Sequence, residues 1–150
     1  INSELLDTGL GKHVTVFVGI ISTTERTLSY AVGAHFPMPI LSFEDGETRF
    51  LEGSGLPVGL FETPEWELYQ VKLDRPFRLL LFSDGLLEVI PAKSLDEKEN
   101  RLLELVSGGS HTIASLSDAL GLGKISELPD DIAIVSVTDT INGSDNTSST

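Results

Sequence analysis

The residues with the clearest chemical potential in this sequence are aspartates at the ends of apolar runs. Asp84 lies in "LLLFSDGLLEVIPA", directly after an apolar run and Ser83. Asp130 and Asp131 lie in "LPDDIAIVSV", directly before a second apolar run. Carboxylates held at the ends of two buried strands form a set of hard oxygen ligands. Such a set suits Mg²⁺ or Mn²⁺ rather than zinc.

Each motif also has a simpler interpretation. An Asp-Gly pair between apolar runs is typical of a hairpin turn, so Asp84 alone is better explained as a turn residue than as a metal ligand. The same pair at Asp45-Gly46 lies in the polar stretch "FEDGET", where only the turn interpretation applies. Asp130 and Asp131 could begin a loop, although two adjacent carboxylates require a cation, a helix end or solvent to offset their repulsion. The two motifs together favour a metal site.

Other residue types offer less. The chain has no cysteine, which excludes disulfides, thiolate zinc sites and a cysteine-based phosphatase. Ser83 lacks the Gly-x-Ser-x-Gly context of a serine nucleophile. His35, in "VGAHFPMPIL", is interpreted as a structural residue with a ring nitrogen bonded to a neighbouring carbonyl.

Composition limits the class of protein. A chain of 150 residues is long enough for one domain with a core. The net charge of -13 repels phosphate backbones and anionic lipid, so nucleic acid and membranes are not expected partners. The longest apolar run, "VFVGII", is far too short to span a membrane, and no secretion signal is visible. We therefore expect a cytoplasmic protein.

Because Ile1 begins an already patterned segment, we expect a fragment of a longer polypeptide.

The aspartate motifs require strands and helices to position them. Apolar and alternating patterns predict strands over 13–23, 26–34, 66–73 and 77–83, with hairpins at "TTE" and Asp45-Gly46, in a meander of antiparallel strands. Ser94 and Glu97 indicate a capping box for a helix that ends at Gly108-Gly109. A second helix is predicted from about Thr112 to Leu120, with Ser110 as its cap, before a last strand in "DIAIVSVTDT". These elements predict an α+β domain over residues 1–140, followed by a disordered polar tail at 141–150.

The order of these motifs resembles the bacterial branch of the metal-dependent protein phosphatases, the protein phosphatase 2C superfamily typified by sporulation stage II protein E. The resemblance rests on "VTVFVGII", "TLSYAVGAHFPMPIL", "GLPVGLF", "LLLFSDGLLEV" and "PDDIAIVSV" and covers about residues 2–137. It implies an antiparallel β-sandwich flanked by helices that holds two Mn²⁺ or Mg²⁺ ions.

The resemblance also assigns site residues. It makes Asp84 of the "SDG" motif and Asp130, the first Asp of the "DD" motif, metal ligands, with Asp131 and Gly85 in supporting roles. It implies a chiefly architectural His35. Family members carry an upstream "Asp-x-x-Gly-His-Gly" segment whose Asp bridges both metals, and this sequence lacks that segment. The N-terminal part of the fold is thus expected to be missing from this chain. We expect the chain alone to bind at most one ion weakly and to have negligible activity.

The resemblance implies a phosphoserine/phosphothreonine protein phosphatase acting on a phosphorylated regulator such as an anti-sigma-factor antagonist. An upstream receiver or sensor domain is expected in the parent protein, as in a response regulator. The rival hypothesis is a non-catalytic module that keeps the phosphatase fold and binds a regulatory protein. Exposed edges and apolar surface in such a fragment make a homo-oligomer a further expectation.

Overall fold

The computed structural model describes residues 1–109, 112–125 and 130–139. The predicted polar tail, 141–150, and the predicted cap Ser110 lie outside the described residues. The elements in chain order are helix α1 (Asn2–Asp7), strands β1 (Val16–Ser22), β2 (Thr27–Gly33), β3 (Ile40–Phe43), β4 (Thr48–Phe50), β5 (Tyr69–Lys72) and β6 (Phe77–Phe82), helices α2 (Gly85–Glu88), α3 (Leu95–Ser107) and α4 (Ile113–Leu120), a 3₁₀ turn (Leu122–Lys124) and strand β7 (Ile134–Thr138).

The strands form two antiparallel sheets. One has the order β1-β2-β5 and the other the order β4-β3-β6-β7. The two predicted hairpins are confirmed, because β1 pairs with β2 and β3 pairs with β4. Gly46 provides the positive φ of +96° that the second turn requires. The α+β fold class is therefore confirmed.

The prediction of a simple meander is wrong. β5 pairs with β2 in the first sheet, whereas β6 pairs with β3 in the second, so the chain changes sheets between them. The strand predicted over 66–73 is also shorter, covering Tyr69–Lys72. The Trp66 indole donates a hydrogen bond to the Leu56 carbonyl oxygen (2.8 Å), which ties this stretch to a loop.

Two apolar clusters hold the layers together. The first lies between the sheets and includes Leu28 and Val32 of β2 and Leu41 and Leu79 of the second sheet. The second lies between the other face of the second sheet and helices α2, α3 and α4. The strand residues of the second cluster include Ile40, Leu80 and Phe82, and its helix residues include Leu86, Leu102 and Leu116. The second sheet is thus covered on both faces, and β6 runs through its middle to Asp84.

The helix boundaries follow local chemistry. The Ser94 hydroxyl accepts a hydrogen bond from the Glu97 amide (3.2 Å), and Glu97 reaches back to the Lys93 amide rather than to that of Ser94. The predicted N-terminus of α3 is therefore confirmed. Of the predicted capping box, only the hydrogen bond to the Ser94 hydroxyl forms. Thr112, with Ser115, forms the capping box of α4, so the helix begins one residue later than predicted.

The outer face of the first sheet is apolar and open. Val18 and Ile20 of β1 are 57% and 72% exposed.

No described helix is long and apolar enough to cross a membrane.

Shortening a side chain in the second cluster should cost stability. Ile40 is fully buried, so Ile40→Val should lower the free energy of unfolding by about 1 kcal/mol through the loss of one packed methylene. Urea denaturation measures the change. Ile20→Val is the matched control, because exposed Ile20 loses little packing and should change the free energy by less than about 0.5 kcal/mol. Equal losses in both variants would contradict the described core.

Candidate metal centre

Asp84 lies where β6 ends and α2 begins. It is the N-terminal cap of that helix, and its Oδ1 accepts a hydrogen bond from the Gly85 amide at 3.2 Å. The chain after Asp84 therefore enters a helix instead of returning as a strand, so the hairpin interpretation of this Asp-Gly pair is wrong. The Asp84 side chain is exposed at the end of the second sheet.

Asp130 and Asp131 precede β7 at the same end of that sheet. Phe82 of β6 pairs with Ile134 of β7, so the end of one strand lies beside the start of the other. Asp130 Oδ1 accepts a hydrogen bond from the Asp131 amide (2.8 Å), which orients the carboxylate. Both aspartates are exposed.

Ser83 joins the two segments. Its amide donates to the Ala133 carbonyl oxygen (3.0 Å), and its hydroxyl accepts from the Ala133 amide (2.8 Å) and donates to the Asp131 carbonyl oxygen (3.0 Å). Sequence analysis considered Ser83 only as a nucleophile and missed this structural role. The available signal was a polar residue between an apolar strand and an aspartate, where a hydroxyl can bond to backbone groups that the sheet no longer pairs.

Gly85 allows the two loops to approach. A Cβ at this position would lie 2.4 Å from the Asp131 carbonyl oxygen and 3.2 Å from Asp130 Cβ. Both distances are too short for a comfortable contact, and the first involves the main chain. The absence of a side chain at Gly85 therefore brings Asp130 beside the Asp84-Gly85 peptide.

His35 lies close to this end of the fold. Burial lowers the pKa of the His35 ring, and the Asp84 carboxylate raises it by a smaller amount, so the ring is neutral at pH 7. Its buried Nε2 has no hydrogen-bond partner within the described residues. The predicted hydrogen bond of this residue to a carbonyl is therefore not found at Nε2. The His35 ring instead packs against the Phe17 ring, with 6.1 Å between ring centroids.

The Asp84 and Asp130 carboxylates fit one side of a divalent-cation site. Asp84 and Asp130 each have one oxygen bonded to a backbone amide, which leaves their other oxygens available to a hard cation. Within residues 1–109, 112–125 and 130–139, no three His, Asp or Glu side chains form a group able to hold a metal. Asp84 and Asp130 alone therefore do not make a complete metal site, and the role of both residues as ligands stays a prediction.

Removing the Ser83 hydroxyl should loosen the join between the loops. We expect Ser83→Ala to lower the free energy of unfolding by about 1–2 kcal/mol, because it leaves the Ala133 amide and the Asp131 carbonyl without this partner. Urea denaturation measures the loss. Ser117→Ala in α4 is the control and should be nearly neutral, since alanine favours a helix. A neutral Ser83→Ala would show that these hydrogen bonds do not hold the segments together.

The first comparison concerns protein families. Residues 1–138 match the family described as Stage II sporulation protein E (SpoIIE). No curated protein sequence matches the chain.

Solved structures supply the second comparison. The RsbU and RsbW domains of Rv1364c from Mycobacterium tuberculosis are 26% identical with a TM-score of 0.66, and the match covers 81% of this chain and 35% of that one. The manganese-presoaked phosphatase domain of SpoIIE from Bacillus subtilis is 16% identical with a TM-score of 0.63, over 85% and 57% of the two chains. The SiaA-PP2C domain of Pseudomonas aeruginosa is 18% identical with a TM-score of 0.66, over 89% and 55%.

The fold comparison and the family match agree. The chain spans about a third to three fifths of the length of these three structures. The SpoIIE and SiaA-PP2C domains share the two-sheet fold, and at 16% and 18% identity this likeness shows the fold alone. The family match, in contrast, covers nearly the whole chain, including both aspartate motifs. The chain belongs to the Stage II sporulation protein E family of phosphatase domains.

Proposed function

We propose that residues 1–140 are the C-terminal part of a cytoplasmic, metal-dependent protein phosphatase domain that hydrolyses phosphoserine and phosphothreonine. One observation carries the proposal: Gly85, which has no side chain, lets the loop of Asp130 approach the loop of Asp84 at one end of the second sheet. The family match supports the reaction class. The partial coverage of similar structures supports a longer parent domain.

The proposed ligands are Asp84 and Asp130, with Mn²⁺ or Mg²⁺ as the cation. Divalent cations bound in such a centre lower the pKa of a water molecule and neutralise charge on phosphoryl oxygens. The protein groups prepare this centre through hydrogen bonds that orient each carboxylate. Gly85 and Asp131 support it through their close backbone contact. The manganese-presoaked SpoIIE domain has the same fold, which is consistent with this choice of cation.

The substrate class follows from the same family. We propose a phosphorylated regulatory protein, such as an anti-sigma-factor antagonist, as the substrate. A receiver or sensor domain preceding the phosphatase domain would supply the regulatory input of a signalling protein or response regulator. The similarity to a protein with RsbU and RsbW domains is consistent with a regulatory system of this kind.

The parent protein should be assayed on a phosphoserine-containing regulatory protein. We expect hydrolysis that EDTA abolishes and that Mn²⁺ or Mg²⁺ restores, with free phosphate as the measured product. The chain of 150 residues is the matched comparison and should be inactive under the same conditions. Tight binding of the phosphoprotein without hydrolysis would instead favour a non-catalytic module that binds a regulatory partner.

A further inference from the structure

The outer face of the first sheet carries a groove that no described element covers. Its volume is about 550 Å³. Val16 pairs with Gly33 and Val18 pairs with Ala31, and directly opposed residues of antiparallel strands point to the same face. We call this region the outer groove, and its lining residues include Val14, Val16, Val18, Ala31, Val58 and Trp66.

The outer groove has the size of a bound helix. Val16 and Val18 line it along β1, and Trp66, three residues before β5, lines it beyond β2, which lies between those two strands. The small side chain of Ala31 on β2 leaves room between these bulkier groups. The seven residues of β1 extend over roughly 23 Å, a length that a helix of about 15 residues matches.

Helix α1 borders the outer groove without covering it. The Asn2 side chain fastens α1 to the loop after β4, because its Oδ1 accepts from the Gly59 amide (2.7 Å) and its Nδ2 donates to the Phe61 carbonyl oxygen (3.0 Å). No residue of α1 is buried. Ile1 and Asn2 also line the groove, so a segment that precedes residue 1 starts beside it.

The outer faces of the two sheets differ in their cover. Leu86, Leu102 and Leu116 of α2, α3 and α4 pack against the second sheet. Among the described residues, the first sheet has no such helical layer. An apolar sheet face is stable when another layer packs on it, and an amphipathic helix supplies a matching apolar stripe.

The borders of the outer groove are acidic. Helix α1 and the segment 51–68 between β4 and β5 contain no Lys or Arg. Their acidic residues are all exposed: Glu4, Asp7, Glu52, Glu62, Glu65 and Glu67. These charges favour a helix with Lys or Arg beside its apolar stripe, and the net charge of -13 attracts such a helix at long range.

We propose that the outer groove binds an amphipathic helix with flanking basic residues, supplied by the part of the parent domain that precedes residue 1. The inference rests on the proposed function in one respect, namely that this chain is part of a longer domain. The partial coverage of the similar structures is consistent with a preceding segment of sufficient length.

Cysteine labelling tests the proposal, because the chain has no cysteine of its own. Val18→Cys places a thiol in the outer groove, and Leu95→Cys is the control at the start of α3; both positions are exposed. Each variant is made in the chain of 150 residues and in the parent protein with its other cysteines replaced by serine. The thiol at position 18 should react with maleimide at least about tenfold more slowly in the parent, whereas the control thiol should react equally in both.

A photocrosslinker on the thiol at position 18 identifies the occupant. In the parent protein, we expect an intramolecular crosslink to a segment before residue 1 that has apolar residues at helical spacing and Lys or Arg beside them. Equal labelling in chain and parent, a crosslinked dimer, or a crosslink to an acidic segment would overturn the proposal. Neither readout requires hydrolysis, so an inactive parent with a covered groove would contradict only the proposed function.

The acidic border is tested with the crosslinked segment as a synthetic peptide. Trp66 is the only tryptophan of the chain, so its emission should shift to shorter wavelength as the peptide binds. Replacing Glu62 and Glu65 together by Gln should weaken binding about three- to tenfold. Glu104→Gln with Asp118→Asn, which removes the same charge from α3 and α4, should leave the affinity unchanged. Equal affinity for both double variants would contradict the basic character of the helix.

Discussion

Phosphatase activity of the parent protein should fall by at least about a hundredfold when Asp84 is changed to Asn. Removing a group that only hydrogen-bonds to a metal ligand already lowers metal affinity or activity about 10- to 100-fold. Removing a proposed ligand should therefore lower activity by at least the upper value. Asn keeps the size of the side chain and its ability to accept from the Gly85 amide, but it removes the negative charge that the cation needs. Asp130→Asn should have a similar effect. Initial rates at saturating Mn²⁺ measure both losses.

A matched control separates this effect from a general loss of charge. Asp45→Asn changes the other Asp-Gly pair, whose aspartate forms an ion pair with Arg75 in the β3–β4 hairpin. It should retain nearly all activity, because the hairpin lies away from the end of the sheet where Asp84 and Asp130 meet. An Asp84→Asn protein as active as Asp45→Asn would remove Asp84 from the centre.

Gly85→Ala should destabilise the fold by about 2–3 kcal/mol. The added Cβ would lie 2.4 Å from the Asp131 carbonyl oxygen, and a main-chain atom cannot move away as a flexible side chain would. The segments before α2 and before β7 must therefore separate, which also strains the hydrogen bonds of Ser83. Urea denaturation of the chain measures the change.

Gly123→Ala is the control for the intrinsic effect of adding a methyl group. No atom lies within 4 Å of a Cβ built at Gly123, so this variant should differ from the original chain by less than about 1 kcal/mol. If Gly85→Ala were as stable as Gly123→Ala, the close contact between the two loops would be wrong. The proposed approach of Asp130 to Asp84 would then lose its structural basis.

Local patterns predicted the elements of this fold well. The hairpin at Asp45-Gly46 was predictable because a glycine turn and its flanking apolar runs are neighbours in sequence. The α3 helix was predictable because Ser94 and Gly108-Gly109 mark its ends. The pairing of β6 with β3 rather than β5 was not predictable from these patterns, since any apolar strand can pair with several others.

The candidate site was predictable in its aspartates and not in their surroundings. Asp84 and Asp130 stand out because each adjoins an apolar strand. The hydrogen bonds of Ser83 depend on Ala133, about 50 residues away, and only the pairing of β6 with β7 brings them together. The close packing of Gly85 likewise depends on that pairing, because the residue it contacts belongs to a distant segment.

Calorimetric titration of Mn²⁺ into the chain of 150 residues tests the central claim most directly. We expect weak binding at one site that is lost in both Asp84→Asn and Asp130→Asn and retained in Asp45→Asn. This result would mean that the two strand ends form one cation site. Absence of binding, or binding that survives both substitutions, would contradict the account and favour the module that binds a protein partner without catalysis.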